Sequence, residues 1–215
     1  MPDPAQPNAA PVVLGIAGGI GSGKSKVAGV FGDLGWLVVD FDAEIRKALT
    51  TIAVRDTLVD WWGEKVLDED GSLDRKAVAS IVFADESERR RLESLLHPMV
   101  LLTREQAQHM AREAAMPGIV LDAPLLFESG QDEACDAVVF VETSEATRRR
   151  RVEEHRGWSA EELDRREAAQ MPLAEKKARS RFVVENEQGK NHLRDRVAEI
   201  SAILLNEASP DTGRA

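Results

Sequence analysis

Apolar positions along the chain follow two rhythms. Residues 12–17 (Val-Val-Leu-Gly-Ile-Ala) form a short continuous apolar run rich in β-branched side chains, bounded by Pro11 and by Gly18-Gly19. Such a run predicts a strand buried on both faces. From Lys24 the spacing changes: Val27, Val30, Phe31 and Leu34 recur every three or four residues, a helical period that ends at Gly35. Residues 36–39 form a second apolar run. The opening therefore reads strand, glycine-rich turn, helix, strand, a unit that closes right-handed with its two strands parallel.

Residues 42–115 carry a mainly helical pattern, interrupted by turn signals at Gly63 and around Asp68 to Gly71. Pro98 is expected to open a new helix, because a proline inside a helix removes a hydrogen bond and crowds the preceding turn. A third strand at 119–121 runs into Asp122-Ala123-Pro124, and a fourth covers 137–141. A highly charged helical stretch follows at 145–155, with a break at Gly157. Ser159 and Glu162 have capping-box spacing, residues 182–184 read as a fifth strand, and 195–205 as a terminal helix. This alternation predicts an α/β protein with a mainly parallel five-stranded sheet and a helical excursion between the second and third strands.

Composition narrows the function. The 215 residues suffice for one substantial core, and 43% hydrophobic with 31% charged residues is a soluble globular balance. Thirty-eight acidic against 28 basic residues give a formal charge of −10, which argues against a nonspecific nucleic-acid binder but leaves room for a local anion site. Cys135 is the single cysteine and fits a reducing compartment. No apolar run approaches the roughly 18 residues of a membrane span. Residues 1–11 have neither a basic nor an apolar signal region and read as a flexible tail, as do 208–215. A soluble cytoplasmic protein is expected, and nothing requires an oligomer.

The decisive feature is Gly18-Gly19-Ile20-Gly21-Ser22-Gly23-Lys24-Ser25, a full match to G-x-x-x-x-G-K-[ST] in strand-loop-helix context. The glycines let the backbone wrap closely and point N–H groups inward, and the following helix adds the positive end of its dipole. Gly19, Gly21, Ser22, Gly23, Lys24, Ser25 and Lys26 are thus candidate ATP-binding residues. Lys24 is placed on the β- and γ-phosphates and the Ser25 hydroxyl on Mg²⁺. The expected architecture is a P-loop nucleotide-kinase-like three-layer fold. Asp40 and Asp42, at the end of the second strand, would point to one side if the chain stays extended there. One could orient or deprotonate an acceptor hydroxyl while the other helps hold Mg²⁺ through water. A kinase for a small hydroxyl acceptor fits best. A nucleotide switch is the rival from another class, though no N-K-x-D base-recognition motif is present. A nucleic-acid-dependent ATPase suits the acidic charge less well.

Beyond the loop, Val39-Asp40-Phe41-Asp42-Ala43, Leu95-Leu96-His97-Pro98 and Pro124-Leu125-Leu126-Phe127-Glu128 follow in order. Gln170-Met171-Pro172 and Phe182-Val183-Val184-Glu185-Asn186 come later. Together these segments, over about residues 12–205, resemble the dephospho-CoA kinase family. The resemblance implies transfer of the ATP γ-phosphoryl group to the 3′-hydroxyl of dephospho-CoA, the last step of coenzyme A biosynthesis. It also implies a core (12–41, 116–144, 180–207), a helical CoA-binding insert (42–115) and a helical lid (145–179). Asp42 then falls at the family's proposed base, with Asp40, His97, Leu125 and Glu128 on the acceptor side.

The lid carries Arg148-Arg149-Arg150-Arg151. Arg148 and Arg151 share a helix face, whereas Arg149 and Arg150 read as solvated. Arg151 is the expected catalytic phosphate contact, since arginine offers a permanently charged planar fork. Arg148 and Arg156 stay open as alternatives. Lys26 and Arg181 depart from the family pattern, which usually has a small hydroxyl and an acidic residue there. None of Trp36, Trp61, Trp62 and Trp158 is assigned to a ligand.

Overall fold

The structure, a computed structural model, describes residues 10–208. Most of both expected tails lies outside that range. Within it, Pro11 is buried just before the first strand and Ala208 closes the last helix, so neither residue is part of a flexible tail.

The elements are β1 (Val12–Gly18), α1 (Lys24–Asp33), β2 (Leu37–Asp40), α2 (Phe41–Ala48), α3 (Ile52–Trp62), α4 (Arg75–Ala84) and α5 (Glu86–Glu113). They continue with β3 (Gly118–Asp122), β4 (Ala137–Glu142), α6 (Glu145–Arg156), α7 (Ala160–Ala168), α8 (Leu173–Arg179), β5 (Phe182–Glu185) and α9 (Lys190–Ala208). The five strands pair in parallel in the order β2-β3-β1-β4-β5. β3 inserts between the first two strands, so β1 and β2 are parallel without being neighbours. β1 lies at the centre of the sheet, and every one of its residues is buried. That is why it reads as a continuous apolar run.

Strand alternation divides the sheet into two faces. Val12, Leu14 and Ile16 share a core with Val120, Val139 and Val184, with Val27, Ala28 and Phe31 of α1, and with Leu193, Val197, Ile200 and Leu204 of α9. Each large aliphatic or aromatic side chain fully buried there contributes about 1.5–3 kcal/mol. On the other face Leu126 and Cys135 close over Gly15, and a Cβ on Gly15 would lie 2.6 Å from a Leu126 methyl. Trp36 precedes β2 and is buried edge-on to Phe31, its indole N–H donating to Ser201 Oγ at 2.9 Å.

The chain divides into two compact units: one of residues up to Asp40 and from Ala107 onward, and one spanning Phe41–Gln106. The second has its own core of Ala48, Val54, Leu58, Val66, Val78 and Leu96. Trp61 and Trp62 pack against this core, and the Trp62 indole donates to Glu88 at 2.7 Å.

Two local expectations are corrected. Pro98 lies inside α5 and does not start a helix. The apolar stripe continues across it, with Leu92, Leu95 and Met99 packed around buried Leu96. That tertiary packing outweighs the local penalty of about 3 kcal/mol. Likewise, the chain turns helical at Phe41, immediately after β2. Asp40 and Asp42 are therefore not alternating residues of one extended segment; Asp42 occupies the first turn of α2, where a carboxylate favours the helix dipole. The terminal helix also starts earlier than expected, at Lys190. At Ser159 only half of the capping box forms. Its hydroxyl accepts from Glu162 N, while the Glu162 carboxylate pairs with Arg165 and Arg166.

Candidate active site

The glycine-rich loop runs from the carboxyl end of β1 to the first turn of α1. Its shape needs residues without a Cβ at two positions in particular. Gly21 has φ +77° and lies under α6, where a Cβ would come within 2.9 Å of Arg148 O. Gly23 has φ +89°, and a Cβ there would lie 2.2 Å from Asn186 Nδ2. Both conformations are left-handed and strained for any other residue.

The loop has the donors an anion requires. Among the described residues the amides of Gly21, Gly23 and Ser25 have no backbone acceptor, as expected at a helix N-terminus. Ser22 is fully buried and its hydroxyl has no partner among the described residues. Buried polar atoms are ordinarily paired, so this one suits a polar ligand. Lys24 Nζ rests on the carbonyls of Gly18 and Gly19, at 3.1 Å each. Ser25 is exposed beside it on α1, and Lys26 Nζ donates to Asn186 Oδ1 at 2.9 Å.

α6 lies along the loop and turns two arginines onto it. Arg148, 5% exposed, donates to Ile20 O and pairs with Glu167 of α7. Arg151 donates to Gly21 O (3.3 Å), Ser22 O (3.2 Å) and Asn186 O (3.1 Å). Arg149 pairs with Glu145 and Asp164, and Arg150 is exposed. Arg156 and Arg166 flank the Trp158 ring at 4.9 and 4.1 Å, away from these loop carbonyls. Arg181 pairs with Glu207.

Asp40 and Asp122 are register partners at the carboxyl ends of β2 and β3, and Asp122 also pairs with Ile16 of β1. Asp40 is exposed, whereas Asp122 is 7% exposed. Ligands bind at this end of open α/β sheets. In the sequence Asp122 reads as part of the turn that follows the third strand. Its signal was present: an apolar strand, Gly-Ile-Val-Leu, that ends on an aspartate.

Beyond β3, Leu125 is exposed while Leu126 and Phe127 are buried. The Glu128 carboxylate is engaged within the protein. It pairs with Lys176 Nζ at 2.8 Å and accepts from Met171 N at 3.0 Å. Lys176 is 1% exposed and also donates to Gln170 Oε1. Arg179 adds a second tie to the same segment through Asp132 at 2.6 Å and the Phe127 ring. α8 thus holds the segment after β3 in place. Nothing in the sequence signals this, because its partners are more than 40 residues apart. Asp42 and His97 belong to the second unit, Asp42 exposed on α2 and His97 exposed on α5.

A family model described as dephospho-CoA kinase matches residues 12–192. The dephospho-CoA kinase of Geobacter sulfurreducens is 39% identical over 191 residues, covering 88% of this chain and 97% of its own length. That of Anaeromyxobacter dehalogenans is 43% identical over 177 residues, covering 81% and 83%. The crystal structure of TT1252 from Thermus thermophilus has a TM-score of 0.78 at 34% identity, covering 94% of this chain and all of that one. At 14% identity and a TM-score of 0.50, shikimate kinase from Bacteroides thetaiotaomicron shares the fold. Because the match runs unbroken from the phosphate loop through α6–α8 to the start of α9, the chain belongs to the dephospho-CoA kinase family.

Proposed function

We propose that the protein transfers the γ-phosphoryl group of ATP to the 3′-hydroxyl of dephospho-CoA, giving CoA and ADP. The observation that carries the phosphate side is the loop itself: the amides of Gly21, Gly23 and Ser25 without backbone acceptors among the described residues, Lys24 over the loop, and two arginines bracing the loop through its carbonyls, with Asp40 and Asp122 at the same sheet end. Family membership supports the acceptor. In the reaction the 3′-oxygen forms a bond to the γ-phosphorus as the bond from that phosphorus to the β,γ-bridging oxygen breaks, ADP leaves with the bridging oxygen, and the hydroxyl proton passes to Asp42. Lys24 and the loop amides offset charge on the β- and γ-phosphates, and Arg151 adds a cation at the loop edge.

Mg²⁺ fits the donor set. Ser25 at the start of α1 and Asp40 and Asp122 at the ends of β2 and β3 offer hard oxygen atoms. This is the donor pattern of an ion that shares its coordination with nucleotide phosphates and water. When bound, Mg²⁺ neutralises charge on the β- and γ-phosphates. Asp40 is further proposed to orient the acceptor, with Leu125 and His97 contacting it. Glu128 acts on the acceptor side through the segment it anchors. The single cysteine and the substrates suit a cytoplasmic enzyme. No described helix is long and apolar enough to cross a membrane.

The test is ADP formation from MgATP with and without dephospho-CoA, with the product identified by mass. Acceptor-dependent ADP and a product one phosphate heavier at the 3′ position are expected. ATP binding without acceptor-dependent turnover overturns the reaction and leaves a nucleotide switch or a kinase for another hydroxyl.

A further inference from the structure

Donors from three distant parts of the chain converge on one carbonyl of the phosphate loop. Ser22 O lies 2.8 Å from Asn186 Nδ2, 3.0 Å from Thr143 Oγ1 and 3.2 Å from Arg151 Nη1. The Thr143 hydroxyl has a single proton and also reaches Glu142 O at 2.8 Å, so the dependable donors are the amide and the guanidinium. Asn186 is 3% exposed and sits one residue beyond β5, its own N–H donating to Glu142 O at 3.0 Å. Its side-chain orientation is dictated by a neighbour. Lys26 Nζ can only donate, so the oxygen it meets is Oδ1 and the opposite arm, Nδ2, faces Ser22 O.

The consequence falls on the next amide. In a trans peptide the carbonyl and the N–H point in opposite directions, and the described residues contain no cis bond. Holding Ser22 O toward Asn186 therefore aims Gly23 N–H away from the clamp. That amide has no backbone acceptor among the described residues. A peptide preceding a glycine is the kind that flips cheaply. A flip here would present a carbonyl oxygen where the N–H now points and would repel an anion.

We propose that Asn186, oriented by Lys26, is a positioning residue of the nucleotide site: it locks the Ser22–Gly23 peptide so that Gly23 N–H faces a phosphate of the bound nucleotide. The proposal rests on reading the loop as an ATP site. It gives Lys26 a role through Asn186. A donor fixed before the ligand arrives needs no reorganisation when charge appears, which is where such donors derive their effect.

The experiment is calorimetric binding of ADP and of adenosine to the unaltered protein, to Asn186→Leu and to Asn186→Asp, with folding checked by circular dichroism. Arg151 Nη1 divides itself between Ser22 O and Gly21 O, so loss of the shorter Asn186 bond should weaken ADP about tenfold, the effect of one hydrogen bond to a charged group, and leave adenosine within about twofold. KM for ATP should rise while KM for dephospho-CoA stays unchanged. If only the Asp variant loses affinity, its added negative charge explains the result and the proposal is overturned. It is equally overturned if adenosine weakens in parallel, the mark of general structural damage. Should the Leu variant not fold, Asn186→Ala is read by the same criteria. If the unaltered protein binds ADP no better than adenosine, the ATP-site reading itself fails.

Discussion

Asp40 and Asp122 face each other in register across β2 and β3, although 82 residues separate them in the chain. Two carboxylates end neighbouring strands, Asp122 beside the strand from which the phosphate loop starts and Asp40 one strand further out. The proposed Mg²⁺ would take this pair as its carboxylates, beside the phosphates of the nucleotide. Asp122→Asn should therefore raise the Mg²⁺ concentration needed for half-maximal turnover and lower kcat by about 10²-fold. Titrating Mg²⁺ at saturating ATP measures both, and an unchanged Mg²⁺ dependence removes Asp122 from the metal.

Asp42, in the first turn of α2, is the proposed base. Asp42→Asn keeps the shape and removes the proton acceptor. Turnover should fall about 10²-fold or more, with ATP affinity nearly unchanged. Steady-state kinetics paired with equilibrium ATP binding makes the distinction. Equal losses in both would make Asp42 a nucleotide-binding residue instead.

Lys24 Nζ already lies over the loop, on Gly18 O and Gly19 O. Lys24→Ala should cost at least about 10²-fold in kcat. Circular dichroism and the melting curve should stay close to those of the unaltered protein, because the side chain lies outside the hydrophobic core. Near-normal phosphoryl transfer would mean that the loop is not the γ-phosphate site.

In the Glu128–Lys176 pair the lysine is buried, whereas Glu128 is a surface residue whose carboxylate is partly covered. Lys176→Met leaves a carboxylate with the Met171 amide as its remaining partner. It should destabilise the fold by about 3 kcal/mol, the lower end for breaking a buried pair, since Glu128 retains some exposure. Adding Glu128→Gln should recover part of the loss. Urea denaturation of the two single variants and the double variant supplies the cycle, and strict additivity would show that the pair does not interact.

Glu187 links the segment after β5 to the start of α6. Hydrogen bonds from the Thr147 side chain and then from Ser144 N and Oγ hold its carboxyl down from 4.5 to about 2. A depressed carboxylate stabilises the fold above its unfolded pKa and loses that contribution as pH falls through its folded one. The stability advantage of the unaltered protein over Glu187→Gln should be constant above about pH 5.5 and shrink from pH 4.5 toward 2. Denaturant titrations of both proteins at several pH values test this; a gap independent of pH in that window contradicts it.

Much of this protein is legible from local pattern. β1, the loop and α1 are contiguous, and their glycines, lysine and apolar spacing each require the same local backbone, so one stretch of sequence determines the phosphate cradle. The strands buried on both faces are continuous apolar runs for the same reason. What sequence could not decide depends on partners far apart in the chain. Pro98 stays within α5 because Leu92, Leu95, Leu96 and Met99 pack on both sides of it. Asp42 belongs to a helix turn and not to an extended strand end. Strand order set Asp122 beside Asp40, and α8 took the Glu128 carboxylate into an ion pair. The clamp on Ser22 O draws on Thr143, Arg151 and Asn186, between 121 and 164 residues away. Periodicity records which residues must be buried, but the direction in which a peptide plane is held is set by whichever donors the folded chain brings against it.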